Sequence, residues 1–203
     1  MGENYQQDRK IAYQKAFQQY GVSPKALQWK SNKSINLRFK QMLSNLDFRN
    51  KSVLDIGCGF GFLIPYIEKQ TNKFEYLGVD IVPEFIKEAR KLYSGHEFMI
   101  CDYFTYPLKE QFDIIVASGI LNSNLGEEST KDRINFIKKT FDCCKTALAF
   151  NMAGDSPQPK NSPNNKVYYA NSSEVLSYCF SLTKKLVFTR RYLTHDFTLI
   201  LFK

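Results

Sequence analysis

Residues 53–63 read Val-Leu-Asp-Ile-Gly-Cys-Gly-Phe-Gly-Phe-Leu, and this stretch decides the fold of the chain. An apolar run that passes into alternate glycines predicts a buried strand, then a loop that opens a helix. Alternate glycines let the backbone approach a ligand closely, and the first turn of a helix presents N–H groups without intrahelical partners. The stretch therefore predicts a pocket for a nucleotide-containing cofactor.

The glycine spacing argues against two common nucleotide sites. A dinucleotide-binding loop needs a third small residue at the position that Phe62 occupies here. A Walker loop needs Gly-Lys-Ser/Thr after its glycines, and none follows. Asp55 ends the strand, where its charge would repel a pyrophosphate. A carboxylate at this place favours a ligand that carries positive charge.

The pattern Asp-x-Gly-x-Gly-x-Gly resembles that of the class I S-adenosylmethionine-dependent methyltransferases, and the similarity continues along the chain. Three further predicted strands end in residues that match the family's order of motifs: Asp80 with Ile81, Asp102 with Tyr103, and Ser118-Gly119 leading to Asn122. Asp80 follows Gly61 by nineteen residues, close to the spacing of a ribose-binding carboxylate. Four motifs in order make the resemblance specific.

The resemblance implies that S-adenosyl-L-methionine is the cofactor and that its sulfonium methyl group is transferred to an acceptor. It implies ribose binding by Asp80 and a place beside the adenine for Asp102. The implied cofactor-binding set from the four motifs is Asp55, Gly57, Cys58, Gly59, Gly61, Asp80, Ile81, Asp102, Tyr103, Ser118 and Gly119. The alternative for Asp80 and Asp102 is a structural role, because Asp is favoured at helix N-caps and in turns.

The segment 20–29 resembles the lid of small bacterial members of the family, in which an aromatic pair closes over cofactor and substrate. On this resemblance Tyr20 and Trp29 are candidates for the pair, and packing of the N-terminal helices onto the core is the alternative. Arg38, on the predicted helix before the first strand, is a candidate partner of the cofactor's carboxylate.

The candidates on the acceptor side are Asn122, Tyr168, Tyr169 and His195. Asn122 follows the fourth motif, and the two tyrosines either line the substrate pocket or pack a loop. His195 is the candidate base, with a hairpin-turn residue as the alternative reading. No metal is predicted, because the cysteines and histidines lack metal-ligand spacing.

A small-molecule acceptor is favoured, because the chain has no appended recognition domain. The expected acceptor atom is O or N, in preference to C. The family's Asn/Asp-Pro-Pro-Tyr/Phe motif for adenine or protein glutamine is missing, as is a Pro-Cys pair for cytosine C5. Two other hypotheses stay open: an enzyme or protein that acts on RNA, and a protein that binds the cofactor without methylating.

Alternating strand and helix patterns predict an α/β sheet covered by helices on both faces. The resemblance implies a Rossmann-like three-layer sandwich with a seven-stranded, mostly parallel sheet and an antiparallel last strand. The strands are predicted at 52–56, 75–80, 97–101, 112–117, 145–151, 185–192 and 196–202. One domain is expected over 1–203, with a helical lid at 1–50 and the Rossmann-like core at 51–203.

The net charge of +8 is concentrated at the N-terminus, where residues 1–51 hold ten Lys or Arg against three acids. Such a segment either attracts an acidic partner such as nucleic acid or forms a solvated helix face; the second reading is favoured. No apolar run reaches the roughly 18 residues of a membrane span. An odd number of cysteines, five, predicts reduced thiols and a cytoplasmic protein.

Overall fold

A central sheet organises the computed structural model, which describes residues 3–123, 129–162 and 167–203. The helices are α1 (Glu3–Tyr20), α2 (Asn32–Leu43), α3 (Ile64–Glu68), α4 (Pro83–Leu92), α5 (Ser129–Cys143) and α6 (Ser172–Leu182). The strands are β1 (Lys51–Ile56), β2 (Phe74–Asp80), β3 (Glu97–Ile100), β4 (Phe112–Ser118), β5 (Cys144–Asp155), β6 (Ala170–Asn171), β7 (Leu186–Arg190) and β8 (Asp196–Phe202). A short 3-10 turn, Ile120–Asn122, follows β4.

The strand order is β3-β2-β1-β4-β5-β8-β7, with β1 to β5 parallel and β8 antiparallel to both of its neighbours. This confirms the predicted seven-stranded, mostly parallel sheet with an antiparallel last strand. The two-residue β6 pairs with β5 as an eighth strand, which is too short to show a periodic pattern. The order reverses between β1 and β4, and ligands of open α/β sheets bind at such a reversal.

Apolar clusters cover both faces of the sheet and give the three layers. Val53 of β1 joins the cluster beneath α2, α3 and α4, whereas its neighbour Leu54 joins the cluster beneath α5 and α6. Successive side chains of a strand point to opposite faces, so β1 is buried on both sides. Complete burial of a side chain of this size contributes roughly 1.5–3 kcal/mol.

Two differences from the predicted bounds lie close to the cavity edge of the sheet. The sequence pattern predicts a helix over 60–70, but α3 begins only at Ile64, because Pro65 is tolerated in a first turn and residues before it form tight turns, such as Gly61 N–H to the Cys58 carbonyl. Strand β5 runs four residues past its predicted end at 151, because β8 pairs with it as far as Ala153 and β6 pairs with the last two residues. The Pro, Asn and Ser content of 154–165 predicts a loop; its first two residues are strand, and residues 163–166 lie outside the described residues.

Helix α1 packs on the sheet body through aromatic side chains. Tyr13 and Phe17 lie edge-on to Phe85 of α4, at ring-centroid distances of 5.9 and 6.0 Å, and Phe17 also contacts Phe60. Such aromatic pairs contribute about 0.5–1.5 kcal/mol beyond their area burial. The division into a lid and a core stays a prediction. Across the described ranges no helix is long and apolar enough to cross a membrane.

Candidate functional site

The loop after β1 has a backbone that requires glycine. Gly57 has φ +73°, and a Cβ there would lie 2.2 Å from Cγ2 of Ile120. The N–H groups of Gly57 and Cys58 donate to the carbonyl of Val79, at 2.8 and 3.1 Å, and so fix the loop to the end of β2. A left-handed φ and a contact of this kind exclude any other residue without a local shift.

Asp80, at the end of β2, connects this loop to the next helix. Its Oδ2 accepts from the N–H of Gly59 and its Oδ1 from the N–H of Val82, both at 2.9 Å. Burial raises the pKa of Asp80, and these two N–H groups together with the charge of Arg9 oppose that rise. The structural reading of Asp80 therefore holds, and its carboxylate also borders a cavity.

Asp55 is the buried carboxylate of the site. Its Oδ2 accepts a 2.7 Å hydrogen bond from the Tyr76 hydroxyl. Burial raises the pKa of Asp55 to about 7, opposed by the Tyr76 hydrogen bond and reinforced by the charge of Asp80. A cation in the adjoining space would favour ionisation of Asp55.

These groups meet at a first cavity of about 1050 Å³, at the carboxyl ends of β1, β2 and β4. The residues from the predicted set that line it are Trp29, Asp55, Gly57, Cys58, Asp80, Ile81, Asp102, Tyr103, Ser118 and Gly119. Gly59 and Gly61 do not line it: Gly59 holds Asp80, and Gly61 packs against Phe98. The cavity lies at the reversal of strand order that the fold predicts for a ligand.

The adenine side of the predicted site is built on a turn. Asp102 accepts from the hydroxyl of Thr105 at 2.6 Å and from its N–H at 3.3 Å, so it stabilises the turn and borders the cavity. Tyr103 is buried against Phe136, with ring centroids 6.0 Å apart. Burial raises the pKa of Tyr103 to about 12, which keeps its hydroxyl protonated.

At the opposite end, Asn151 of β5 holds the residues that follow β4. Its Nδ2 donates to Ser118 Oγ and its Oδ1 accepts from the Gly119 N–H, both at 2.9 Å. Asn151 is buried, and sequence reasoning did not single it out. A polar residue directly after an apolar run, here residues 147–150, is a sequence signal that could have found it.

A second cavity of about 1200 Å³ adjoins the first between the N-terminal segment and the turn before β8. The two share wall residues: Arg9, Tyr13, Leu27, Trp29 and Gly119. Four of the predicted residues line the second cavity only: Arg38, Asn122, Tyr169 and His195. Asn122 accepts from the Ala153 N–H at 2.7 Å, and His195 lies in the turn with its ring edge-on to Tyr169 at 5.6 Å.

Besides Gly59 and Gly61, two predicted residues line neither cavity: Tyr20 and Tyr168. Tyr20 is the last residue of α1, is 43% exposed, and has Lys25 Nζ over its ring at 5.7 Å. Tyr168 lies under the guanidinium of Arg133 at 4.0 Å, and its N–H donates to the Asn122 carbonyl. Tyr168 therefore supports the wall at Asn122 from behind, in keeping with its loop-packing alternative.

Sequence reasoning missed the residues that α1 contributes. Tyr13 and Arg9 border both cavities, and Arg9 Nη2 donates to the Tyr13 hydroxyl at 2.9 Å. The signal was available, since residues four apart share one helix face and Arg9, Tyr13 and Phe17 form such a row. Tyr13 and Trp29 border both cavities, whereas Tyr20, the other residue of the predicted aromatic pair, borders neither.

Comparisons with known proteins agree with this geometry. Residues 53–151 match a family model described as a methyltransferase domain. A Mycobacterium tuberculosis protein is 27% identical to this chain over 159 residues. The matched region covers 75% of this chain and 93% of that protein, whose name places it provisionally among the methyltransferases.

Two solved structures share the fold. Magnesium protoporphyrin IX methyltransferase from Synechocystis PCC 6803, with bound S-adenosylmethionine, has a TM-score of 0.62 at 16% identity over 84% of this chain and 78% of its own. Haemonchus contortus phosphoethanolamine N-methyltransferase 1 has a TM-score of 0.72 at 13% identity over 100% of this chain and 50% of its own.

The fold, with a glycine loop and carboxylates at the strand reversal, defines a Rossmann-like enzyme that binds a nucleoside cofactor. Residues 53–151 match a methyltransferase domain, and the sheet and the order of motifs are those of the class I S-adenosylmethionine-dependent methyltransferases. The first cavity fits this cofactor chemically, because Asp55, Asp80 and Asp102 face the space that would hold a cationic, hydroxyl-bearing ligand.

The raised pKa of Asp55 predicts a pH-dependent stability. The unfolded carboxyl titrates near 3.8 and the folded one near 7, so the folded state binds the extra proton between these values. The free energy of unfolding should therefore fall as pH rises from 4 to 7 and level off above. Urea unfolding measures this free energy at pH 5 and at pH 8. Between these two values it should fall by about 2 kcal/mol more in the unmodified protein than in Asp55→Asn. Equal falls in both proteins would contradict the raised pKa of Asp55.

Proposed function

We propose that the chain transfers the methyl group of S-adenosyl-L-methionine to an O or N atom, and less readily a C atom, of a small molecule in the second cavity. The observation that carries this proposal is the joining of the two cavities at Trp29 and Gly119. An acceptor in the second cavity would meet the cofactor there. Both neighbours described above are named for small molecules, protoporphyrin and phosphoethanolamine, which supports this class of acceptor.

In this proposal the first cavity holds the cofactor through the residues of the four motifs. Asp80 and Ile81 would hold the ribose, Asp102 and Tyr103 the adenine. The remaining motif residues would hold the methionine end: Asp55, Gly57, Cys58, Ser118 and Gly119, with Gly59 and Gly61 shaping the loop. We reassign Arg38 from the cofactor to the acceptor, because it borders only the second cavity.

When bound, S-adenosyl-L-methionine supplies a methyl group on a positively charged sulfur, already activated for attack. The chain's own residues therefore mainly align the acceptor and exclude water. Tyr13 and Trp29 line both cavities, and the Asn122 side chain on the second is fixed by a hydrogen bond from the Ala153 N–H. Positioning of this kind lowers a barrier by about 7–11 kcal/mol.

The cations of the N-terminal segment bear on the RNA alternative. Three of its ten, Arg9, Lys30 and Arg38, line the second cavity, where Arg9 and Arg38 are half-buried and Lys30 is exposed. A surface that follows a nucleic acid backbone needs exposed cations along its length. We therefore favour the small acceptor over RNA, and we propose a cytoplasmic location because all five cysteines are unpaired thiols.

The test uses the purified protein with methyl-labelled S-adenosylmethionine and three separate acceptor pools: metabolites below about 1 kDa, total RNA and total protein. We expect label in the metabolite pool. Label in RNA would overturn the small-molecule proposal. Tight cofactor binding with label in none of the pools would favour the non-methylating alternative.

We assign the role of base to His195, which is the histidine on the acceptor cavity. Its imidazole would accept the proton that the acceptor's O or N atom releases as the new bond to carbon forms. His195→Gln should lower kcat by about 100-fold, the usual effect of a positioned base. Affinity for S-adenosylhomocysteine should stay the same. Tyr169→Phe, which changes another residue of the same cavity, is the matched control. An unchanged kcat in His195→Gln would show that His195 is a turn residue only.

A further inference from the structure

The two cavities carry opposite charge. Three carboxylates, Asp55, Asp80 and Asp102, line the first, with Arg9 as its one cationic wall residue among those described. Such a cavity suits the sulfonium cofactor. The acidic wall ends where the first cavity meets the second.

The wall of the second cavity holds three cations, Arg9, Lys30 and Arg38, and among its described residues a single carboxylate, Asp196. Arg38 Nη2 lies 2.7 Å from Asp196 Oδ2, and both side chains are largely buried. This pair cancels its own charge. The excess positive charge of the cavity therefore comes from Lys30 and from Arg9, whose charge also acts on Asp80 of the first cavity.

We infer that the acceptor is an anion, held by Arg9 and Lys30 through a carboxylate or phosphate group. The inference rests on the proposed function, since it specifies the acceptor of that site. Charge-assisted hydrogen bonds to oxyanions are stronger than neutral ones. Arg9 is half-buried, so its charge is screened less than that of the exposed Lys30. The rings of Tyr13, Trp29 and Tyr169 on the same wall would cover the apolar body of the molecule.

The carboxylate of the cofactor does not account for both cations. Lys30 borders only the second cavity, whereas a cofactor in the first cavity can reach Arg9 at the junction. Lys30 is therefore the residue that separates the two explanations. Its loss should affect the acceptor and leave the cofactor unchanged.

Trp29 gives a direct readout, because it is the only tryptophan and borders both cavities. Protein saturated with S-adenosylhomocysteine is titrated with phenyl phosphate, benzoate and the neutral benzamide while Trp29 fluorescence is followed. We expect at least one anion to bind 10-fold or more tightly than benzamide, and the preference to shrink at about 0.5 M salt. The better anion identifies phosphate or carboxylate. Equal binding of all three probes would overturn the inference.

Lys30→Gln should remove most of the anion preference, and Lys33→Gln is the matched control, since Lys33 is exposed and lies on neither wall. Thr194→Glu, which adds a carboxylate to the wall, should remove the preference without deleting a cation. Weaker binding of S-adenosylhomocysteine by Lys30→Gln would show that the cofactor uses this cation, and would overturn the inference. Methyl label found on a neutral metabolite would overturn it as well, yet would leave the proposed function standing.

Discussion

Asp80→Asn should weaken binding of S-adenosylmethionine by about 100-fold. Both oxygens of Asp80 accept backbone N–H groups, from Gly59 and Val82, so either orientation of an amide places its NH₂ against an N–H donor. The variant would also lose the charge that we propose for the ribose hydroxyls. Hydrogen bonds to a charged group contribute about 1.5–3 kcal/mol each, and about 2.7 kcal/mol is a factor of 100 in affinity.

Calorimetric titration with S-adenosylmethionine and S-adenosylhomocysteine measures this loss, and both ligands should be affected alike. Asp142→Asn serves as the control, because Asp142 is an exposed carboxylate that pairs with Lys138. Asp80→Ala should show a similar loss. Unchanged affinity in both Asp80 variants, with thermal unfolding showing folded protein, would reject the ribose assignment.

Gly57→Ala should destabilise the fold by about 3 kcal/mol and abolish cofactor binding. A left-handed backbone costs a non-glycine residue about 1–2 kcal/mol, and forcing extra atoms into a packed site adds about 1–3 kcal/mol. Both costs apply at Gly57, which has φ +73° and Ile120 Cγ2 2.2 Å from an added Cβ. A shift of Ile120 would also displace the wall of the first cavity.

Urea unfolding of alanine variants at two other glycines separates the backbone cost from the packing cost. Gly21 has φ +59° with open space around it, so Gly21→Ala should show the backbone cost alone. Gly95 has open space and no left-handed backbone, so Gly95→Ala should be nearly neutral. The double variant Gly57→Ala/Ile120→Ala should lose less than the sum of its parts. If Gly57→Ala cost no more than Gly21→Ala, the contact with Ile120 would be unimportant.

The fold was largely predictable because its signals are local. The last four residues of the strand before Gly57, residues 53–56, are apolar except for Asp55, and burial of this part of β1 on both faces follows from that run. Local sequence patterns do not predict features that depend on pairing with a neighbouring strand. The length of β5 depends on pairing with β8, and the two residues of β6 become a strand only because β5 passes beside them.

The positions of the residues at the strand ends were more predictable than those of the N-terminal segment. In a parallel sheet the carboxyl ends of the strands share one edge, so Asp55, Asp80 and Asp102 had to meet once the strands were recognised. No such rule places the N-terminal segment. Of the aromatic pair predicted from the resemblance to a lid, Trp29 borders both cavities and Tyr20 borders neither, whereas Tyr13 borders both.

The sequence by itself determined the class of enzyme, the cofactor and the mostly parallel sheet, since the motifs that indicate them lie within a few residues of a strand end. Only the tertiary structure decided how α1 and the turn before β8 enclose a second cavity with Lys30 and Asp196 on its wall. Those residues are more than 160 positions apart. Their meeting follows from packing between distant segments, which no local pattern records.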